Sequence, residues 1–163
     1  MAPVTKGRMT ADLSGDFVVF LIGMRVNKPW KLHKWIPVAK AMLPMLRTLY
    51  RNRDLGMLGS HTFLGIHGPM LVQYWRSVEH LDRFARDTSL PHRPAWRAFN
   101  RRVGTDGDVG IWHETFEVRA GAYESLYANM PPFGLAAAGR HLPVATKGER
   151  AAERRQAGSG QSS

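Results

Sequence analysis

Cysteine is absent from the 163-residue chain. Disulfides, iron–sulfur clusters and thiolate metal sites are thereby excluded, and a metal would have to rest on histidine and carboxylate ligands. Those residues are not spaced for one. His61 and His67 fall on one face of a strand but six residues apart, and no H-x-x-x-H pair occurs, so no metal site is expected. Phosphate signatures are missing too. Neither G-x-G-x-x-G nor a P-loop is present, which leaves dinucleotide and nucleoside-triphosphate chemistry unsupported. No run reaches the roughly 18 apolar residues of a membrane span. The best candidate, FVVFLIGM (residues 17–24), is far shorter, follows Asp12 and Asp16, and lacks the basic flank and cleavage site of a signal peptide. The expectation is a soluble, cytoplasmic protein with no membrane partner.

Acidic residues are scarce as well. Only 13 Asp and Glu stand against 23 Lys and Arg, for a formal net charge of +10. Between Phe17 and Met130 there are sixteen basic and nine acidic residues, so most of the excess sits in the body of the chain. Such a balance suits nucleic acid or a small anion. The basic residues, however, are spread over RVNKPWKLHK, RTLYRNR and RAFNRR, in separate segments, and form no recognition-helix, zinc-finger or RNA-binding pattern. Solubility or an anionic ligand accounts for them better than nucleic acid.

What is present is a patterned body of near-average apolar content, 44%, enough for one core. Residues 1–15 are small, polar and unpatterned, and are expected to be flexible. DFVVFLIGMRV reads as a buried strand. From Lys31 the period changes, with Trp35, Val38, Met42, Met45, Leu46 and Leu49 at helical spacing. Pro37 suits the first turn of that helix, and Pro44 is expected to kink or divide it. MLGSHTFLGIHG and MLVQYWRS read as two strands joined at Gly68 and Pro69. Ser77 caps a second helix carrying Val78, Leu81, Phe84 and Ala85. PAWRAFNRRV predicts a further short helix, VGIWHETFEV a fourth strand, and GAYESLYANM a short helix or turn. PPFGLAAAG reads as a loop. Residues 147–163 are charged and Ser/Gly-rich, and are expected to be disordered.

The order strand, helix, strand, strand, helix, strand predicts an α+β fold across residues 16–146: a ferredoxin-like four-stranded antiparallel sheet with helices on one face. Both faces of its first strand are apolar, so the face without helices needs a cover. A second copy of the chain is the simplest one, giving a homodimer in which the sheets close an α/β barrel.

The stretches MRVNKPWKLHKW, VQYWRSVEHLDRFARD, HRPAWRAFN, VGIWHETFEV and YANMPPFGL, in that order between Asp16 and Leu135, resemble a bacterial and fungal family named after a monooxygenase of the fumagillin pathway. That family is similar to the antibiotic-biosynthesis monooxygenases, which are dimeric α/β barrels. The resemblance implies a substrate pocket between helices and sheet. It also implies oxygenation of an apolar, aromatic or enolic small molecule of secondary metabolism, without metal or flavin: the ionised substrate itself reduces dioxygen. The same scaffold also serves noncatalytic small-molecule or haem binding, and isomerase or cyclase chemistry.

Such an oxygenation needs a dry cavity, a base and a group to hold the developing oxyanion. DVGIWHETFEV offers two titratable groups inside a β-prone run, where burying an unpaired charge costs on the order of several kcal/mol. Alternation along a strand puts His113 on one face with Ile111, Thr115 and Glu117, and Glu114 on the other with Trp112, Phe116 and Val118. His113 is the first choice of base, or a structurally bonded histidine. Glu114 is a catalytic carboxylate or an interface ion-pair partner. His92, in PHRPAW, is a second acid–base candidate or an exposed loop residue. His92 or His80 is the axial ligand if the protein binds haem. Arg25 is a candidate to hold an oxyanion, Tyr74, Trp75, Trp96 and Trp112 to line an aromatic pocket, and Asn129 to bond the substrate. Each also has a plain structural use as core, paired charge or turn.

Overall fold

The computed structural model describes residues 2–87 and 106–159. Its elements are β1 (Thr5–Asp12), β2 (Phe17–Val26), α1 (Leu32–Arg51), β3 (Met57–Gly65), β4 (Gly68–Trp75), α2 (Val78–Arg86), β5 (Val109–Val118), β6 (Tyr127–Met130), α3 (Leu135–Ala138), β7 (Arg140–Pro143) and α4 (Ala151–Ser159). Single 3₁₀ turns occupy Arg53–Leu55 and Val144–Thr146.

β2 is apolar on both faces because it runs inside a four-stranded sheet of order β3-β4-β2-β5, antiparallel throughout. Val18 lies between Trp75 on β4 and Glu117 on β5, and Ile22 between Leu71 and His113. Val18, Phe20, Ile22 and Met24 therefore share one face with Gln73, Trp75, Ile111 and His113. Phe17, Val19, Leu21 and Gly23 share the other with Tyr74, Trp112, Glu114 and Phe116.

Helices cover the first face. α1 presents Val38, Met45 and Leu49 to the sheet. Val38 packs with Met24 and Val109, and Leu49 with Val18, Met57, Trp75 and Leu81 of α2. Pro37 is not in the first turn but sits, like Pro44, inside a helix that runs as one element from Leu32 to Arg51. Tertiary packing of its apolar stripe outweighs the backbone hydrogen bonds that two prolines remove. α2 begins at Ser77, whose Oγ accepts from the His80 backbone N–H (3.4 Å), the cap expected of that residue. The lead-in to α1 is tied to the start of β5 through buried Asp108, whose carboxylate meets Lys28 (2.8 Å) and Lys31 (2.7 Å). Those two ammonium groups hold the Asp108 carboxyl well below the usual carboxylate range.

Four segments differ from expectation. Residues 5–12, expected to be flexible, form β1, the centre of a second sheet of order β6-β1-β7. GAYESLYANM supplies strand β6 rather than a helix. PPFGLAAAG contains the helical turn α3. The tail expected to be disordered contains α4, where buried Arg154 bonds Glu124 (Nε to Oε1, 2.7 Å) and the carbonyls of Gly148 and Glu149. Buried Asp12 pairs with Arg140 and Lys147. Burial raises its carboxyl pKa, but those two cations more than reverse this and leave it lowered. These elements are held by long-range ion pairs and strand pairing, which leave no local hydrophobic period to read.

The second sheet also changes the view of the face without helices. Ala11, Phe17, Leu135 and Ala136 form a buried cluster against Tyr74, Val118, Tyr123 and Tyr127. One end of that face is thus covered by the chain itself. Trp112, Phe116 and Phe63 remain 36%, 49% and 39% exposed beyond it. Trp112 lies across Gly23, where any Cβ would collide with the indole.

Candidate active site

Between α1 and the sheet lie two adjoining cavities of about 260 and 140 Å³, both bounded by Ile22, Met42 and Leu46. The larger extends toward Met24, Leu71 and Ile111. The smaller extends toward Phe20, Leu49, Trp75 and α2, ending on Phe84. Their walls are almost wholly apolar, because α1 offers Leu and Met at helical spacing to a sheet face of Phe, Ile and Leu. Such walls offer water few hydrogen-bond partners.

Few polar groups reach the walls. Lys40 and Thr62 border the larger cavity. Gln73, on β4 and only 5% exposed, borders the smaller one. Its Oε1 accepts the Trp75 indole N–H at 3.0 Å. His113 stands on the same sheet face, beside Ile22 and with its ring 5.6 Å from that of Phe20, on the exposed edge strand β5. It does not itself line either cavity, but Phe20 and Ile22 separate it from them by one side chain. Gln73 and His113 lie on either side of β2, opposite Phe20 and Ile22, about 12 Å apart across two strand spacings and a two-residue offset.

The other expected residues are dispersed. Trp75 is fully buried against Val18, Leu49 and Phe84 and forms a wall of the smaller cavity. Its neighbour Tyr74 points to the opposite face and packs with Phe17 and Tyr127. Burial raises the pKa of both tyrosine hydroxyls. Tyr74 is therefore no part of the α1 cavities, a correction that follows from strand alternation. Trp112 and Glu114 are exposed on that same far face. Arg25 is there too, donating to Asn27 Oδ1 (3.0 Å) at the strand end, away from the cavities. Asn129 is exposed on β6 with φ +53°, accepts the Gly7 N–H through Oδ1 at 3.0 Å and does not border the α1 cavities. His80 Nδ1 bonds Ser77 Oγ at 2.9 Å within the α2 cap. His92 and Trp96 lie outside the described residues.

On the far face, His61 Nε2 accepts the Gly134 N–H at 2.8 Å and its ring packs on Phe133. Burial lowers its pKa, which keeps the acceptor nitrogen unprotonated. His67 is elsewhere, its carbonyl accepting the Val26 N–H. Among the described residues no cluster of three or more His, Asp or Glu could hold a metal ion. No described helix is long and apolar enough to cross a membrane.

Gln73 is the residue that sequence reasoning passed over. Its signal was available: Leu71, Gln73 and Trp75 alternate on one face, and an amide between two large apolar groups on a buried strand demands a partner.

An α+β fold with a four-stranded antiparallel sheet, helices over one face and an apolar cavity beneath them defines the class. Within it, residues 17–135 match the model of the Monooxygenase af470-like family, and the chain belongs to that family. Monooxygenase af470 of Aspergillus fumigatus is 31% identical over 154 residues, covering 81% of this chain and 54% of that protein. The chain thus spans about half the length of this relative. Among solved structures, an aldoxime dehydratase superposes with a TM-score of 0.59 at 18% identity, over 82% of this chain and 43% of its own. That likeness is one of fold. A weaker one, TM-score 0.41 at 17% identity over 64% of this chain and 94% of the other, links it to SnoaB, a cofactor-independent oxygenase from Streptomyces nogalater.

Proposed function

We propose that the chain is a monooxygenase-like enzyme of secondary metabolism that oxidises an apolar aromatic or enolic small molecule in the α1 cavities, without metal or flavin. The observation that carries this reading is the juxtaposition of a nearly all-apolar cavity with one imidazole, His113, on the same sheet face. In the proposed reaction a planar substrate lies over Phe20 and Ile22. Its acidic O–H or C–H faces His113, which takes the proton. The resulting phenolate or enolate is electron-rich enough to reduce dioxygen, and the apolar walls shield it from water. Glu114 faces the other way and takes no proton in this scheme. The functional unit is a homodimer, with a second copy of the chain covering Trp112, Phe116 and Phe63, in the cytoplasm.

Oxygen uptake with a panel of polycyclic phenols and cyclic 1,3-diketones tests the reaction. His113→Ala should lower turnover by roughly 10²–10⁴-fold, the usual contribution of one positioned base. Its melting temperature should be unchanged, because the side chain is exposed. Turnover that survives His113→Ala, or falls equally in Glu114→Gln, overturns the assignment. Product formed at an undiminished rate without oxygen would make the enzyme an isomerase or cyclase.

A further inference from the structure

We infer that Gln73 sets the specificity of this site by donating its side-chain amide to an oxygen acceptor on the bound molecule. The inference rests on the α1 cavities being the substrate site. It starts from Trp75, which is fully buried and whose indole nitrogen can only donate. The partner of that N–H, 3.0 Å away, must be an acceptor, so the Gln73 amide is fixed with Oε1 toward Trp75. Nε2 is then turned away from the indole, and both its hydrogens stay available. No acceptor meets them among the described residues, although Gln73 is 95% buried, being 5% exposed. The side chain borders the smaller cavity, whose other walls are Phe, Ile, Leu, Met, Trp and Ala.

A donor at the wall of an apolar cavity, with no acceptor on it among the described residues, discriminates in one direction. A molecule that presents a carbonyl, phenolate or enolate oxygen at this point gains a hydrogen bond in a water-poor space. One that presents only carbon leaves the donor unmatched. A molecule that presents a donor meets N–H against N–H or O–H. Trp75 is the positioning residue of this arrangement, because without its N–H the amide could turn over and accept instead. The site therefore takes acceptor-bearing ring systems, with the acceptor end at Gln73 and the ionisable end toward His113, about 12 Å away across two strand spacings and a two-residue offset.

Two probes of the same shape, 1-tetralone and tetralin, differ in one carbonyl oxygen. Calorimetric affinities for both, on the wild type, Gln73→Met and Gln73→Leu, test the inference. Gln73→Met removes the donor and keeps length and apolar shape. Gln73→Leu removes the donor with a shorter side chain and serves if Gln73→Met fails to fold. The preference for tetralone over tetralin should fall about ten-fold in either variant, the worth of one such hydrogen bond. A preference that changes less than three-fold in a folded variant, as judged by near-ultraviolet circular dichroism, overturns the inference and leaves the cavity reading standing. If wild type binds neither probe, the cavity is not a site for such molecules, and both readings fall together.

Discussion

Two leucines one turn apart on α1 separate a cavity from a packed core. Leu49 touches only the smaller cavity, is 2% exposed and packs against Val18, Met57, Trp75 and Leu81. Leu46 is half-buried and borders both cavities, so one side of it already faces empty space. Leu→Ala removes three carbons. At Leu49 these carry about 0.8 kcal/mol each in transfer free energy, or about 2.4 kcal/mol together, before the cavity term. The void left behind brings the expected cost to about 3 kcal/mol, inside the roughly 2–5 kcal/mol range of such deletions. For a domain of this size that is a fall in Tm of about 6–12 °C, at about 2–4 °C per kcal/mol. At Leu46 the missing neighbours have already forfeited part of the contact energy, and the cost should be about 1 kcal/mol, or about 2–4 °C. Urea denaturation of the two variants at matched protein concentration measures the difference. Equal losses, within about 0.5 kcal/mol, would mean that Leu46 is ordinary core and that no usable space lies beside it.

Two further outcomes follow from the far face and the tail. Sedimentation at micromolar concentration should return about twice the 18.3 kDa chain mass, and Phe116→Glu should return the single mass, because it places a second charge beside Glu114 on the exposed face that carries Trp112, Phe116 and Phe63. A wild-type monomer would refute the assignment of that face to a second copy. Truncation after Glu149 removes α4 and with it the Arg154 bonds to Glu124 and to the Gly148 and Glu149 carbonyls, so Tm should fall; an unchanged Tm would show that α4 holds nothing in place.

The parts of the fold legible in the sequence are those whose burial is continuous along the chain. The first eight residues of β2 are an apolar run because neighbours flank it on both sides and each face packs. α1 shows a 3.6-residue period because one stripe meets the sheet. β1, β6, β7 and α4 were not legible for the opposite reason. β6 and β7 are four residues each, β1 has four buried residues in eight, and α4 is fastened by one buried arginine. Pairing partners such as Asp12 and Lys147 are more than a hundred residues apart, and no window sees both. Within the site, alternation correctly separates His113 from Glu114. The same rule applied to adjacent Tyr74 and Trp75 would have assigned them to opposite faces and brought Gln73 forward.

The two titratable groups of β5 find their physical explanation in the strand order. β5 is an edge strand, bonded only to β2 within its sheet, and its central residues from Trp112 to Glu117 are exposed. Within the single chain neither His113 nor Glu114 bears the desolvation cost that an internal strand would impose. Charges along such an edge also discourage a further strand from adding to it. Edge position alone therefore accounts for Glu114 and Glu117. For His113 it does something more. Its ring is in contact with solvent on one side and with Phe20 on the other, and Phe20 is a wall of the cavity. A base buried wholly inside an apolar pocket has nowhere to discharge the proton it takes. One at the rim can accept from a substrate lying over Phe20 and Ile22 and release to water before the next turnover. On the proposed reading, the exposure of His113 is what lets a cavity of almost pure hydrocarbon carry out repeated proton transfer.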